Sequence, residues 1–296
     1  PDRSPQEVRD RSRPMTTFCE VCEGPLDEDR LRAGPLKRVC LECLSVEERD
    51  ALQHDLEVAA QIQARLLPER NFSFGRWQIH YHYEPLGPVS GDHIDLIRPG
   101  RTGHALHFLF GDVSGKGVAA SILMANLQAL FRSLVSQDLP LAQIMSTANS
   151  LFHESTGANS FATLVAGRLN GGGLLEICNA GHNPPLLVRE GCVSSLSASS
   201  LPLGISDRLQ MESQRHILEP QDLLFLYTDG ISEADNEAGE EFGPARVEGS
   251  LEGLRGLPAR AVVNSVLDNL HTFQAGAPQN DDVTAMAIRW RGDSVN

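Results

Sequence analysis

Alternation of apolar and polar side chains marks residues 77–83, 106–110, 161–169 and 223–228 as strands. Apolar residues recur at helical spacing over 119–135, 141–153 and 258–273, which read as helices. A further apolar stretch, 283–288, reads as a strand. Gly171-Gly172-Gly173 separates two strands and fits a hairpin-like turn. Runs of strands beside separate helices favour an α+β layered fold over a doubly wound parallel sheet.

Upstream, Ser45-Val46-Glu47-Glu48 has the capping-box pattern that starts a helix. Leu52, Leu56, Ala59, Ile62 and Leu66 then form one apolar stripe, and Pro68 ends it, predicting a helix over 46–67. The stripe needs cover. It either packs on its own domain or forms a signalling helix and homodimer seam that transmits the state of whatever precedes it.

Cysteine placement adds a separate module. Cys19, Cys22, Cys40 and Cys43 form two CxxC knuckles separated by residues 23–39, a spacing that closes a tetrahedral zinc site. All four ligand positions are filled, so the zinc would be structural, and metal binding would supply most of the folding energy of so small a segment. Two unrelated reduced thiol pairs are the plainer alternative. Cys178 and Cys192 fall in strand patterns and read as inert core thiols.

Carboxylates gather at strand ends. Phe108-Leu-Phe-Gly-Asp112-Val-Ser-Gly-Lys-Gly117 is an apolar strand running into an aspartate and a glycine-rich turn, and Leu224-Phe-Leu-Tyr-Thr-Asp229-Gly230 repeats the design. Asp281-Asp282 stands immediately before the 283–288 strand, and Ser90-Gly-Asp92-His-Ile-Asp95 adds a fourth group. One such aspartate is usually a turn residue or cap; four placements make an oxygen-rich pocket suited to Mg²⁺ or Mn²⁺. Other chemistries fall away. The 111–117 turn is one residue short of a phosphate loop and has Gly117 where a hydroxyl should bind Mg²⁺. His153-Glu154 lacks the second histidine of a zinc protease, and no Gly-x-Ser-x-Gly elbow is present.

Composition narrows the partners. Lys and Arg number 25 against 39 Asp and Glu, a formal net charge of −14 over 296 residues, which argues against binding along a nucleic-acid backbone. The expected organisation is a tail at 1–14, a four-cysteine zinc-ribbon-like module at 15–44, a linker helix at 45–68 and a catalytic domain at 69–296. No apolar run is expected to reach the ~18–20 residues of a membrane span, and the polar N-terminus lacks a signal-peptide core, so a cytoplasmic location without membrane association is expected.

Several stretches, in order, resemble the metal-dependent (2C-type) protein phosphatases, in their bacterial stage II sporulation E and RsbU-like branch. They are Asp55-Leu-Glu-Val-Ala-Ala-Gln-Ile-Gln-Ala-Arg-Leu-Leu-Pro68, Ser90-Gly-Asp-His-Ile-Asp95 and Gly111-Asp-Val-Ser-Gly-Lys-Gly117. Asn179-Ala-Gly-His-Asn-Pro184, Leu201-Pro-Leu-Gly204, Tyr227-Thr-Asp-Gly-Ile-Ser-Glu-Ala234 and Asn280-Asp-Asp-Val-Thr284 continue the order. The cysteine module lies outside the resemblance. The resemblance implies a four-layer α-β-β-α sandwich with two Mn²⁺ or Mg²⁺ ions at one end. Asp112 would bridge them, with the Val113 carbonyl, Asp229 and the Asp281-Asp282 pair completing the ring. Asp281 is favoured as the direct ligand of that pair, and Asp92 and Asp95 are both candidates from the first motif. Ser90 and His93-Ile94 depart from the family's usual residues there. His93 reads as a solvated turn histidine, with a ligand or substrate contact as the alternative, and His182 as a structural hydrogen-bonding residue. The implied reaction is hydrolysis of phosphoserine or phosphothreonine on a regulatory protein, by a water acidified between two metals. The family's typical substrate is an anti-sigma-factor antagonist of the STAS type, and a sensor or activator protein would be a further partner. A non-catalytic scaffold, built from zinc module and degenerate phosphatase domain, is the rival reading.

Overall fold

The computed structural model describes residues 17–26, 39–40, 43–98, 100, 104–157 and 160–292. Clustering of contacts divides the chain into two units, Pro1–Val58 and Ala59–Asn296. The division falls within helix α1 (Val46–Leu66).

In the first unit, β1 (Thr17–Phe18) and β2 (Pro25–Leu26) pair antiparallel, with Thr17 opposite Leu26. The turn between them carries Cys19 and Cys22. The Cys19 amide donates to the Gly24 carbonyl at 2.8 Å, and the Glu23 amide to the Cys19 carbonyl at 2.9 Å. Both reciprocal bonds of the capping box open α1. The Ser45 amide donates to Glu48 Oε2 at 3.1 Å, and the Glu48 amide to Ser45 Oγ at 3.2 Å. The expected tail at 1–14 lies outside the described residues, as do 15–16, 27–38 and 41–42 of the expected module.

The second unit is built on two antiparallel sheets. Its strands are β3 (Asn71–Phe74), β4 (Trp77–Glu84), β5 (His93–Ile97), β6 (Leu106–Val113), β7 (Ala162–Leu169), β8 (Leu174–Ala180), β9 (Leu186–Arg189), β10 (Cys192–Ser195), β11 (Gln214–Ile217), β12 (Leu223–Tyr227) and β13 (Val283–Trp290). One sheet runs β10-β9-β12-β13-β4-β3 and the other β11-β8-β7-β6-β5. The helices are α2 (Gly117–Val135), α3 (Leu141–Ser155), α4 (Asp229–Ser232), α5 (Gly243–Leu251) and α6 (Ala259–Gln274).

Period-two alternation gives each sheet two apolar faces, because each is covered on both sides. Phe108, Phe110, Val165 and Ile177 of one sheet meet Trp77, Tyr81, Leu224, Met286 and Ile288 of the other in the central layer. The odd-numbered Leu109 and Val113 turn outward to Met124, Leu127, Phe131 and Phe152 of α2 and α3. On the opposite side, Phe225, Ala285 and Ala287 pack on Val247, Val262, Val266 and Leu270 of α5 and α6. The result is the four-layer α-β-β-α sandwich that the resemblance implied.

Two expectations are corrected here. Gly117–Val135 is 19 residues long and apolar enough to cross a membrane by length and composition. Its Met124, Leu127 and Phe131 instead fill the core under the five-stranded sheet. Cys178 is buried in that same core, but Cys192 is exposed and is not a core thiol. Gly171–Gly173 forms one 3-10 turn joining β7 to β8.

Candidate metal and catalytic centre

Alternation along the strands decides which carboxylates meet. On β6, Phe108 and Phe110 face the central layer, so Asp112 shares their side at the strand's end. Asp229 stands two residues past the end of β12, and Asp281-Asp282 precede the first residue of β13, its antiparallel neighbour. Asp92 immediately precedes β5, whose Ile94 and Leu96 also face the central layer. Four strand ends therefore deliver Asp92, Asp112, Asp229, Asp281 and Asp282 to one open end of the sandwich.

Close backbone approach makes this possible. A Cβ on Gly91 would lie 2.7 Å from the Val113 carbonyl and 3.0 Å from Asp112 Oδ1. A Cβ on Gly230 would collide with the Asp282 carbonyl. Glycine at both positions lets the acidic segments touch.

Each carboxylate has a defined setting. Asp92 is fully buried, and its Oδ2 accepts hydrogen bonds from the hydroxyls of Thr284 and, at 3.2 Å, Thr228. Burial, and then the Asp112 charge, push the Asp92 carboxyl well above the usual carboxylate range. Burial, followed by the charges of Asp229, Asp281 and Asp282, pushes Asp112 up to about 7. Burial and Asp281 raise Asp229 as well. Asp281 Oδ2 pairs with Lys116 Nζ at 3.0 Å, and Lys116 also donates to the Asn280 carbonyl at 3.1 Å. Asp282 Oδ1 accepts from the Leu86 amide at 2.7 Å and Oδ2 from Ser90 Oγ at 2.6 Å.

Asp95 is set apart from this cluster. Three residues from Asp92, it faces the opposite side of β5, where both its oxygens accept from Arg132 of α2, at 2.8 and 2.9 Å. His93 shares that side. It is buried rather than solvated, without hydrogen-bond partners for either ring nitrogen, and burial pushes it down to about 4. His182 is buried beside the cluster; its Nδ1 lies 2.8 Å from Thr163 Oγ1 and its ring packs T-shaped with that of Phe110. Burial holds it near 4, so it is neutral.

A cleft of about 250 Å³ opens onto Asp112 and Asp229 and is also lined by Ser114, Phe161, His182 and Asn183. A second, of about 320 Å³, lies beside Lys116, Asp281, Glu233 and Asp235. Lys116, Ser90, Thr228 and Thr284 hold or pair the acidic groups, yet spacing alone did not single them out. Their signal was adjacency: each sits one to four residues from a motif aspartate.

The donor set fits divalent hard cations. Five carboxylates share one site, burial and mutual repulsion raise three of them, and cations would relieve that repulsion with oxygen ligands. The thiol site fits a soft cation equally well. The sulfurs of Cys19, Cys22, Cys40 and Cys43 all lie within 4.8 Å of one another. Cys19 Sγ accepts the Cys40 amide at 3.2 Å, and backbone N–H groups of Cys22 and Cys40 hold its thiol down to about 6. The neighbouring thiol of Cys40 pushes Cys43 up to about 12, so Cys19 and Cys43 do not ionise together.

Comparisons with known proteins agree with both halves. Residues 102–291 match the family of stage II sporulation protein E (SpoIIE), and residues 14–49 match the prokaryotic dksA/traR C4-type zinc finger. Protein IcfG of Synechocystis sp. is 26% identical over 275 residues, covering 83% of this chain. The phosphoserine phosphatase RsbU of Bacillus subtilis is 24% identical over 241 residues, covering 80% of this chain. The chain spans 43% of the length of IcfG and 70% of RsbU. The SiaA-PP2C domain of Pseudomonas aeruginosa superposes with a TM-score of 0.68 at 19% identity, over 81% of this chain and 98% of that domain. With a family match over most of its length and a PP2C-type fold to carry it, the chain belongs to the SpoIIE family.

Proposed function

We propose that the chain is a metal-dependent protein phosphatase acting on phosphoserine or phosphothreonine of a regulatory protein. The observation that carries this reading is the meeting of five aspartates at one end of the sandwich, beside a cleft open to solvent. Asp112, Asp229 and Asp281 would hold two Mn²⁺ or Mg²⁺ ions, with the Val113 carbonyl and Asp92 beside them. Asp281, whose charge bears on both Asp112 and Asp229, is the direct ligand of its pair, while Asp282, bonded to the Leu86 amide and the Ser90 hydroxyl, fixes the segment that carries it. Asp95, occupied by Arg132, takes no part. The bound cations would polarise the phosphoryl group and acidify an attacking water, as two-metal sites do.

The remaining work falls to the protein's own groups. The strand ends fix the carboxylates, and Ser114, Phe161 and Asn183 line the cleft where the phosphorylated side chain would enter. Lys116, 63% exposed at its side chain, supplies positive charge at the rim for an anionic substrate. A phosphorylated STAS-type anti-sigma-factor antagonist is the proposed substrate class, as the family resemblance implies, and RsbU and RsbP, with which this chain aligns, are phosphoserine phosphatases. Cys19, Cys22, Cys40 and Cys43 would hold one structural Zn²⁺. Phosphate release from a phosphoserine protein, followed with and without Mn²⁺ and repeated with Asp229→Asn, tests the reading. Release that persists in a folded Asp229→Asn variant sinks it.

A further inference from the structure

Helix α1 contributes one buried side chain, and it is polar. Gln63 is 6% exposed, whereas Ile62 beside it is 56% exposed. Both ends of its amide are bonded: Nε2 donates to the Ser90 carbonyl at 2.7 Å, and Oε1 accepts the Ser90 amide at 3.0 Å and the Tyr83 hydroxyl at 3.3 Å. The side chain thus grips both backbone groups of Ser90 as a neighbouring strand would. Only a side chain that donates and accepts at once makes this pair; a carboxylate would lose the donor and an aliphatic chain both.

Ser90 passes this constraint to the acidic cluster. Its hydroxyl donates to Asp282 Oδ2 at 2.6 Å and accepts the Asp92 amide at 2.9 Å. One residue is therefore bonded to Gln63 through its backbone and to two of the clustered aspartates through its side chain. Burial leaves no water to replace these bonds, so losing the Gln63 amide would leave the Ser90 backbone groups unpaired and free to shift. Asp282 in turn precedes β13 and adjoins Asp281.

We propose that Gln63 is a positioning residue for the carboxylate centre, acting through Ser90 to fix Asp92 and the Asp281-Asp282 segment in the geometry that binds divalent cations. This rests on the reading that the aspartates hold such cations. Gln128 supplies an internal contrast. Its Nε2 donates to the Leu66 carbonyl at 2.8 Å, fastening the end of the same helix without touching Ser90.

The test is Mn²⁺ titration of the full-length protein by calorimetry, with the cation-free melting temperature measured in parallel. Gln63→Met keeps the side chain's length and removes its hydrogen bonds, and should weaken Mn²⁺ binding about tenfold or more, the usual scale for groups that orient metal ligands. Ser90→Ala removes one hydroxyl and should weaken binding similarly, and it carries the test if Gln63→Met does not fold. The double variant should bind scarcely more weakly than either single variant, because both act on one linkage. Gln128→Met should lower the melting temperature and leave Mn²⁺ affinity within about twofold. Affinity unchanged in Gln63→Met while the melting temperature falls would reduce Gln63 to ordinary packing. Equal losses in Gln128→Met would assign the effect to the helix as a whole, and independent multiplication of the Gln63 and Ser90 effects would break the linkage. A folded wild-type protein that takes up no Mn²⁺ overturns the cation reading itself, and this proposal with it.

Discussion

The two polar clusters of this chain reach their geometry by opposite routes. The four thiols come from two short CxxC knuckles, and the Val21 and Cys40 amides both donate to Cys19 Sγ. The carboxylates come from four strand ends, and contacts within the cluster join residues as far apart as Ser90 and Asp282, 192 positions apart in the chain. The first arrangement would draw its order from a soft cation held by the four thiols. The second is held by three layers of packed side chains whether or not a cation is bound. What it carries is electrostatic repulsion, visible in the raised Asp92, Asp112 and Asp229 carboxyls. A sandwich can store that repulsion; a small loop module cannot.

The largest effect that would break this contrast is chemical. Asp112→Asn should lower phosphoserine hydrolysis by more than about 100-fold, while leaving the cation-free melting temperature equal or higher because a repelled charge is gone. A fall in both would show that the carboxylate serves the fold. Changing Cys19 and Cys22 to serine should do the reverse. Metal analysis should show the zinc lost, and turnover of a small phosphate ester should stay within about twofold, since a structural zinc site stabilises its own module.

The next prediction sharpens the division between Asp92 and Asp95. Asp92→Asn should weaken Mn²⁺ binding about tenfold or more. Arg132→Leu, which strands the fully buried Asp95 carboxylate, should cost about 3 kcal/mol of stability in denaturant titration with cation affinity unaltered. Reversed outcomes would place Asp95 at the centre. The smallest effect belongs to the helix: Ile62→Gln should change stability by less than about 0.5 kcal/mol, because Ile62 is mostly exposed.

The thiol module was legible because its information is local: spacing alone brings Cys19, Cys22, Cys40 and Cys43 within reach. The layered fold was legible from alternation, since Phe108 and Phe110 on one face, with Leu109 on the other, already describe a strand covered twice. That same alternation held the answer for Asp92 and Asp95, three positions apart and so on opposite faces of β5. It was missed because the strand's start was not fixed by the Ser90–Asp95 motif. For the same reason His93 reads as a turn residue in the sequence, whereas it begins a buried strand. In the helix, the apolar stripe drew attention to Ile62, while Gln63, seven residues after Leu56 and three before Leu66, occupied the buried position. Polarity hid it: a glutamine reads as solvent-facing until its partner, Ser90, is known. Lys116 was weighed only as a phosphate-loop residue, because its pairing with Asp281 joins distant segments.

If these aspartates form a cation-dependent phosphatase centre, cation uptake and catalysis must rise together. One titration of chelator-treated, zinc-reloaded protein with Mn²⁺ reads uptake and phosphate release from a phosphoserine protein side by side. About two equivalents of Mn²⁺ should bind, release should rise with the same midpoint as uptake, and both should fail in Asp112→Asn. Release at full rate before any Mn²⁺ is bound would show that the aspartates do not hold the catalytic cation.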